Sequence, residues 1–253
     1  MNILILPDIH GRNFFKKPCE NIDEYDKVVF LGDYFDPYEF EHISFRQAID
    51  NFKIILELKK NNMDKVTLLI GNHDCPYLFD DYYKLSSYHC RHSDTYHDEI
   101  HKLLNDNIEL LQLACVFDDI LFTHAGVTDG WLYDVLMYEN KDIKVQELCD
   151  YLNGLKNTKE GIKQLYYVSG YRGGYNWFGS CIWADVREHS FAPNYESNLK
   201  DIKQVFGHTL QAHYSKTYDV LYDNPIEKDN YKMVDTTHAY ELNTENFTIK
   251  EIN

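Results

Sequence analysis

The sequence predicts an α/β domain built on parallel strands, and three observations carry that reading. Short apolar runs at residues 2–6, 27–31 and 65–70 each stop at a glycine or proline followed by polar side chains. A stretch with helical periodicity separates the second run from the third. The 253 residues are 44% hydrophobic and 26% charged, ordinary values for a chain that buries its own core.

The first run, Asn2 to Leu6, reads as a buried strand that delivers Asp8 and His10 into the loop after Pro7. It is too short for a signal peptide and lacks a basic leader. Lys27 to Leu31 repeats the design and ends at Gly32-Asp33, with Asp36 close behind. Lys65 to Ile70 repeats it again and ends at Gly71-Asn72-His73-Asp74. Between the second and third runs, Ser44 suits an N-cap and Gln47 its capping-box partner. Phe45, Ala48, Ile49, Phe52, Ile55 and Leu56 then fall on one helical face. Lys59 and Lys60 suit the negative end of that helix. Strand, helix, strand is a βαβ unit, which argues for parallel pairing.

Downstream, Asp94 to Leu104 reads as a helix. Leu113 to Phe117 and Ile120 to Thr123, split by Asp118-Asp119, read as a hairpin that ends at His124. Residues 129–168 look mostly helical, and residues 169–183 look like a structured loop. Gln204 to Phe206 reads as a strand running into Gly207-His208-Thr209. Short strands are expected from Thr217 to Ile252. No repeat or linker interrupts this order, so residues 1–253 are expected to form one domain, with a helical insertion or lid at about 75–110.

Charge narrows the function classes. Lys and Arg total 25 against 41 for Asp and Glu, a formal charge of −16. Such a chain lacks the basic face of a general duplex-DNA binder. It can hold a phosphate locally if metal ions supply the positive charge. No apolar run reaches the roughly 18 residues of a membrane span. The six cysteines (Cys19, Cys75, Cys90, Cys115, Cys149 and Cys181) form no C-x-x-C pair, so reduced thiols in a cytoplasm are expected.

The polar residues at the run ends are the chemistry-bearing set: Asp8 and His10; Asp33 and Asp36; Asn72, His73 and Asp74; His124; His208. In an open α/β sheet the carboxyl ends of strands share one crevice. Carboxylates, imidazoles and an amide oxygen gathered there suit manganese, iron or zinc. The lack of thiolates argues against a structural zinc cage.

In order, D-x-H, G-D-x-x-D, G-N-H-D, a lone His and G-H-T resemble the calcineurin-like metallophosphoesterase family. The pattern is most similar to its serine/threonine-phosphatase-like branch. The resemblance implies a four-layer α-β-β-α sandwich and two divalent metal ions (Mn, Fe or Zn). It implies Asp8 and His10 on one ion, Asp33 bridging both, and Asn72, His124 and His208 on the other. His73 would be the general acid beside the leaving group, oriented by Asp36, while a metal-bridging hydroxide attacks a phosphomonoester. The implied partner is a phosphorylated small molecule, nucleotide or phosphoprotein, with no membrane involved.

Two departures from the family pattern matter. In the phosphatase-like branch an arginine that grips phosphate usually follows G-D-x-x-D, and here Pro37 stands there. Arg172, ahead of Trp183-Ala184-Asp185, and Arg12 are the replacements the sequence offers. Many phosphodiesterases of the family carry G-H-x-H, whereas this chain has Gly207-His208-Thr209-Leu210. His213 stands at the wrong spacing. The phosphatase reading is therefore preferred to a phosphodiesterase or a dinucleoside polyphosphate hydrolase. A non-catalytic metal-binding module is the rival of another class, and the retention of His73 and Asp36 speaks against it. His89, Cys90, His92, His97 and His101 read as a polar loop and helix near the site rather than a zinc site. Tyr166, Tyr167, Tyr171, Tyr175, Trp177 and Phe178 read as a packed loop around Arg172, with nucleobase stacking as the other use.

Overall fold

The computed structural model describes residues 1–79, 90–190, 197–210, 212–214, 220–222 and 224–252. His89, part of the 75–110 insertion and part of the expected tail strands lie outside those residues. One sheet holds β1 (Asn2–Leu6), β2 (Lys27–Phe30), β3 (Val66–Leu69) and β4 (Leu111–Gln112), all paired in parallel. The second holds β5 (Ala114–Phe117), β6 (Ile120–Thr123) and β7 (Lys203–Phe206), with β5–β6 the expected antiparallel hairpin and β6–β7 parallel. A separate hairpin pairs β8 (Ala212–Tyr214) with β9 (Val220–Tyr222). The second sheet is completed by β10 (Ile226–Glu227) and β11 (Tyr231–Met233), in the order β10-β11-β7-β6-β5. The chain then returns to the first sheet as β12 (Ala239–Asn243) and β13 (Thr248–Ile252), antiparallel at the β1 edge.

Side-chain alternation along β1 explains how the sheets stack. Ile3 and Ile5 point between them, where they join Val29, Leu69, Ile120, Phe122 and Val205. Leu4 and Leu6 point the other way, into a cluster with Ile49, Phe52 and Ile55. Those three belong to α2 (Phe45–Asn61), which follows α1 (Lys16–Glu20). On the outer face of the second sheet, Leu121 joins Leu148 and Leu152 of a helix at Val145–Leu155. Helix, sheet, sheet, helix is the expected four-layer sandwich. Each buried Leu, Ile or Phe in these clusters contributes roughly 1.5–3 kcal/mol.

Local signals place most elements. The Ser44 hydroxyl accepts from the Gln47 amide at 3.1 Å, the predicted cap of α2. Lys59 does more than meet the helix dipole: it is buried, and its Nζ donates to the Met63 and Val66 carbonyls at 2.6 and 2.7 Å. That ties the end of α2 to β3. A short α3 (Cys75–Leu78) precedes α4 (His97–Asn105), which starts three residues after the expected Asp94. Tyr96 has a non-helical backbone, and its ring stacks on Phe45 at 5.8 Å. The helical stretch expected over 129–168 is broken into a wide turn at Trp131–Val135, α5 (Val145–Leu155) and α6 (Lys159–Leu165). Among the described residues, no helix is long and apolar enough to cross a membrane.

Candidate metal centre

The loops after β1, β2 and β3 of one sheet meet those after β6 and β7 of the other. Asp33 is the hub. Its Oδ2 lies 3.5 Å from His10 Nε2 and 3.5 Å from His124 Nε2. Its Oδ1 accepts from the His73 amide at 2.8 Å. Asn72 Oδ1 lies 2.9 Å from His124 Nε2 and 2.8 Å from His208 Nδ1. Asp8 Oδ1 accepts from the His208 amide at 3.0 Å. All six predicted ligand residues therefore gather at one place, and each is buried.

The backbone is strained to achieve this. His10, Asp33, Asp36 and His208 all adopt left-handed conformations, with φ of 44°, 54°, 58° and 67°. Such residues persist only where surrounding contacts hold them. Asp74 supplies much of that hold. Its carboxylate accepts from the amides of Asp33, Tyr34 and Gly71 at 2.9, 2.9 and 2.8 Å. The sequence reading placed Asp74 only as a family position, and the structure makes it a backbone clamp. Two glycines leave room for the carboxylates. A Cβ on Gly71 would lie 2.1 Å from Asp33 Oδ1, and one on Gly207 would lie 2.2 Å from Asp8 Oδ1.

The donor set fits divalent cations. His10 Nδ1 donates to the Phe35 carbonyl and His124 Nδ1 to the Leu31 carbonyl, both at 2.8 Å. Those bonds leave each Nε2 as a bare lone pair facing Asp33. His124 Nε2 and Asn72 Oδ1 are then two acceptors in contact with no proton between them, an arrangement a cation resolves. Burial, and then the neighbouring Asp8 charge, pushes the Asp33 carboxyl well above its usual range. Burial, followed by Arg91, holds His10 well below its usual value, and burial, followed by Arg172, does the same for His208. His208 Nε2 is buried without a hydrogen-bond partner among the described residues. Neutral imidazoles beside buried carboxylates suit borderline metals.

His73 stands at the edge of this group. Its Nδ1 lies 2.8 Å from Asp36 Oδ2, and its ring meets the His10 ring edge-on at 4.9 Å. Burial lowers its pKa, while the Asp36 carboxylate opposes that shift. Sequence reasoning missed Tyr77. Its hydroxyl donates to Asp36 Oδ1 at 2.6 Å and accepts from the Ser93 amide at 2.9 Å. The one available signal was its place four residues after His73, across the turn of α3.

Of the two predicted arginines, Arg12 is engaged elsewhere. Its Nε forks onto Glu41 at 2.9 and 3.0 Å, and Nη1 donates to the Asp8 carbonyl at 3.1 Å. Arg172 Nη2 donates to the His208 carbonyl at 3.3 Å, and its Nη1 lies 3.9 Å from Asp185. Trp183 packs edge-on against His208 at 5.6 Å. A third arginine, Arg91, which the sequence reading did not single out, touches the His10 ring. In the histidine group, His92 bonds His97 at 3.0 Å and stacks on Tyr77 at 4.3 Å. Among the described residues, the side-chain groupings compact enough to share an ion all lie around Asp33 and His73. The aromatic loop is less packed than expected. Tyr166 and Phe178 join the core, but Tyr175 and Trp177 are 100% and 90% exposed, beside a cavity of about 870 Å³.

Comparison with known proteins gives the family and the fold. Residues 1–212 match the family described as calcineurin-like phosphoesterase. No curated protein matches the chain in sequence. A solved cold-active protein tyrosine phosphatase superposes with a TM-score of 0.58 at 15% identity, over 100% of this chain and 78% of that one. A protein serine/threonine phosphatase from Saccharomyces cerevisiae, with similarity to human phosphatase PP5, superposes with a TM-score of 0.53 at 14% identity, over 100% and 80%. At such identities the likeness shows the fold.

Proposed function

The chain belongs to the calcineurin-like phosphoesterases, metal-using hydrolases of phosphoric ester bonds, and from that premise we propose that it is a phosphatase acting on phosphomonoesters with two ions of manganese, iron or zinc. The observation that carries the reading is the position of Asp33 Oδ2, 3.5 Å from the inward nitrogens of both His10 and His124. In this reading Asp8, His10 and Asp33 would hold one ion, and Asp33, Asn72, His124 and His208 would hold the other. When bound, the two ions supply a water of lowered pKa and positive charge against the phosphoryl oxygens.

The chain's own groups do the rest. His73 donates a proton from Nε2 to the departing oxygen. Asp36 keeps Nδ1 protonated and stabilises the imidazolium. The dianionic phosphate of the substrate, added to Asp36, opposes the burial that lowers the His73 pKa. Arg172 stands at the His208 end as a phosphate contact. The absence of a second histidine after Thr209 favours monoesters over diesters. Residues 1–253 form one domain in this reading.

The test is to strip the protein of metal, reload manganese, and compare p-nitrophenyl phosphate with its bis-ester. Monoester turnover that needs metal and is lost in His73→Asn is the expected result. Faster bis-ester cleavage would make the enzyme a phosphodiesterase. Stoichiometric metal with every ester intact would leave a binding module.

A further inference from the structure

We propose that Arg91 grips the phosphoryl group of the substrate, supplying from the segment before α4 the guanidinium that is missing after Asp36. This deepens the phosphatase reading and rests on it. Position 37 is proline, so no cation follows Asp36 along the chain. Arg91 reaches the Asp36 backbone from 55 residues away, with Nε and Nη2 both donating to the Asp36 carbonyl at 3.0 and 2.9 Å.

Its plane is fixed from a second side. The guanidinium carbon lies 3.6 Å from the centroid of the Tyr38 ring, a close cation–π stack. Tyr38 directly follows Pro37, so the segment that lost its cation carries the platform for a substitute. Nη2 lies 3.3 and 3.5 Å from the two ring nitrogens of His10. Near-equal distances place it against the ring rather than on one lone pair, and His10 Nδ1 is already bonded to Phe35. Arg91 therefore leaves the inward Nε2 lone pair of His10 to a metal. Nη1 has no hydrogen-bond partner among the described residues. The charge is felt across the centre: Arg91 acts on His10, Asp33 and His73.

Arg12 differs in charge, because the Glu41 carboxylate already pairs with it, whereas Arg91 is held by a carbonyl and a ring. Arg172 stands at the other end, on the His208 carbonyl. Arg91 and Arg172 thus stand at the His10 and His208 ends of the cluster centred on Asp33. A planar guanidinium held by its Nε edge and stacked on a ring loses little further freedom when Nη1 meets a phosphoryl oxygen. The bland reading is that Arg91 only props the left-handed turn at Asp36.

Calorimetric titration of manganese-loaded protein with orthophosphate separates the two. Arg91→Ala should lose about 10- to 100-fold in phosphate affinity, the size of a charge-assisted hydrogen bond, while keeping its manganese. Arg91→Lys should recover part of the loss, and KM for p-nitrophenyl phosphate should rise in parallel. Arg46→Ala, which removes a surface arginine paired with Glu99, should change neither. Phosphate affinity within twofold of wild type in folded, metal-replete Arg91→Ala would overturn the proposal. Manganese lost from both the Ala and Lys variants would also overturn it, in favour of the prop. The titration needs no turnover. Wild-type protein that binds phosphate through Arg91 but cleaves no ester would refute the phosphatase reading and leave this one standing.

Discussion

Replacing Gly71 with alanine puts one methyl group where the Asp33 carboxylate now rests. The new Cβ would lie 2.1 Å from Asp33 Oδ1 and 2.5 Å from the Asp33 amide nitrogen. Ordinary carbon–oxygen contact needs roughly 3.3 Å, so the carboxylate must withdraw by about 1 Å. Gly71 is not among the residues with positive φ, so the methyl group alone causes the effect. The same carboxylate sets both 3.5 Å approaches, to His10 and to His124, and accepts the His73 amide at 2.8 Å. A displacement of that size at a reacting centre costs on the order of 100-fold in rate, and disturbing the support of a metal ligand costs roughly 10- to 100-fold in metal affinity. Gly71→Ala should therefore bind manganese roughly 10- to 100-fold more weakly, read by calorimetric titration of the metal-free protein, and should lose phosphatase turnover. Gly154→Ala is the matched control. Gly154 lies in α5 with nothing within 4 Å of its would-be Cβ. That variant should gain roughly 0.5–1 kcal/mol of stability with metal binding unchanged. Wild-type manganese affinity in Gly71→Ala would refute the packing account of the hub.

Three further tests address separate parts of the centre. Tyr77→Phe removes the hydroxyl that joins Asp36 to the Ser93 amide. It should lower kcat about 10-fold at unchanged metal content, and an unchanged kcat would detach Tyr77 from the His73–Asp36 pair. Asp33→Asn should weaken both ions together, so metal analysis should find a coordinated loss rather than one ion retained. His189 lies on the cavity wall, stacked on Phe206 at 4.5 Å, with its pKa pushed down by burial to about 4. The unfolded chain takes up that proton first, near pH 6.5. Stability is thus complete above about pH 6.5 and falls as pH drops toward 4, by at most about 3 kcal/mol. In denaturation of the metal-free protein between pH 7 and 4.5, His189→Gln should flatten that acid decline; an unchanged slope would remove His189 from the account.

Much of this molecule is written locally. A strand such as Asn2–Leu6 announces itself by four buried apolar neighbours, and α2 by Ser44, Gln47 and a periodic face, because caps and periodicity act within a few residues. The motif residues at the strand ends were legible for the same reason: most of these runs stop at a glycine or proline followed by polar residues.

Contacts between distant segments were not legible in caps or periodicity; only the family resemblance implied the two-sheet sandwich and the meeting of His124 and His208 with Asp33. Two sheets, rather than one open sheet, bring His124 and His208 to Asp33, and that depends on Ile3, Ile5, Phe122 and Val205 packing between them. Arg91 had no local mark, since its partners Asp36, Tyr38 and His10 lie 53 to 81 residues earlier. Asp74 looked like a motif letter until three amides were seen to converge on it. Trp177 looked packable and stands in solvent. Local sequence determined which residues are the candidates for the chemistry. Tertiary packing alone decided which of them meet, because the free energy that closes long loops comes from burial of the whole core and leaves no signature at the residues brought together.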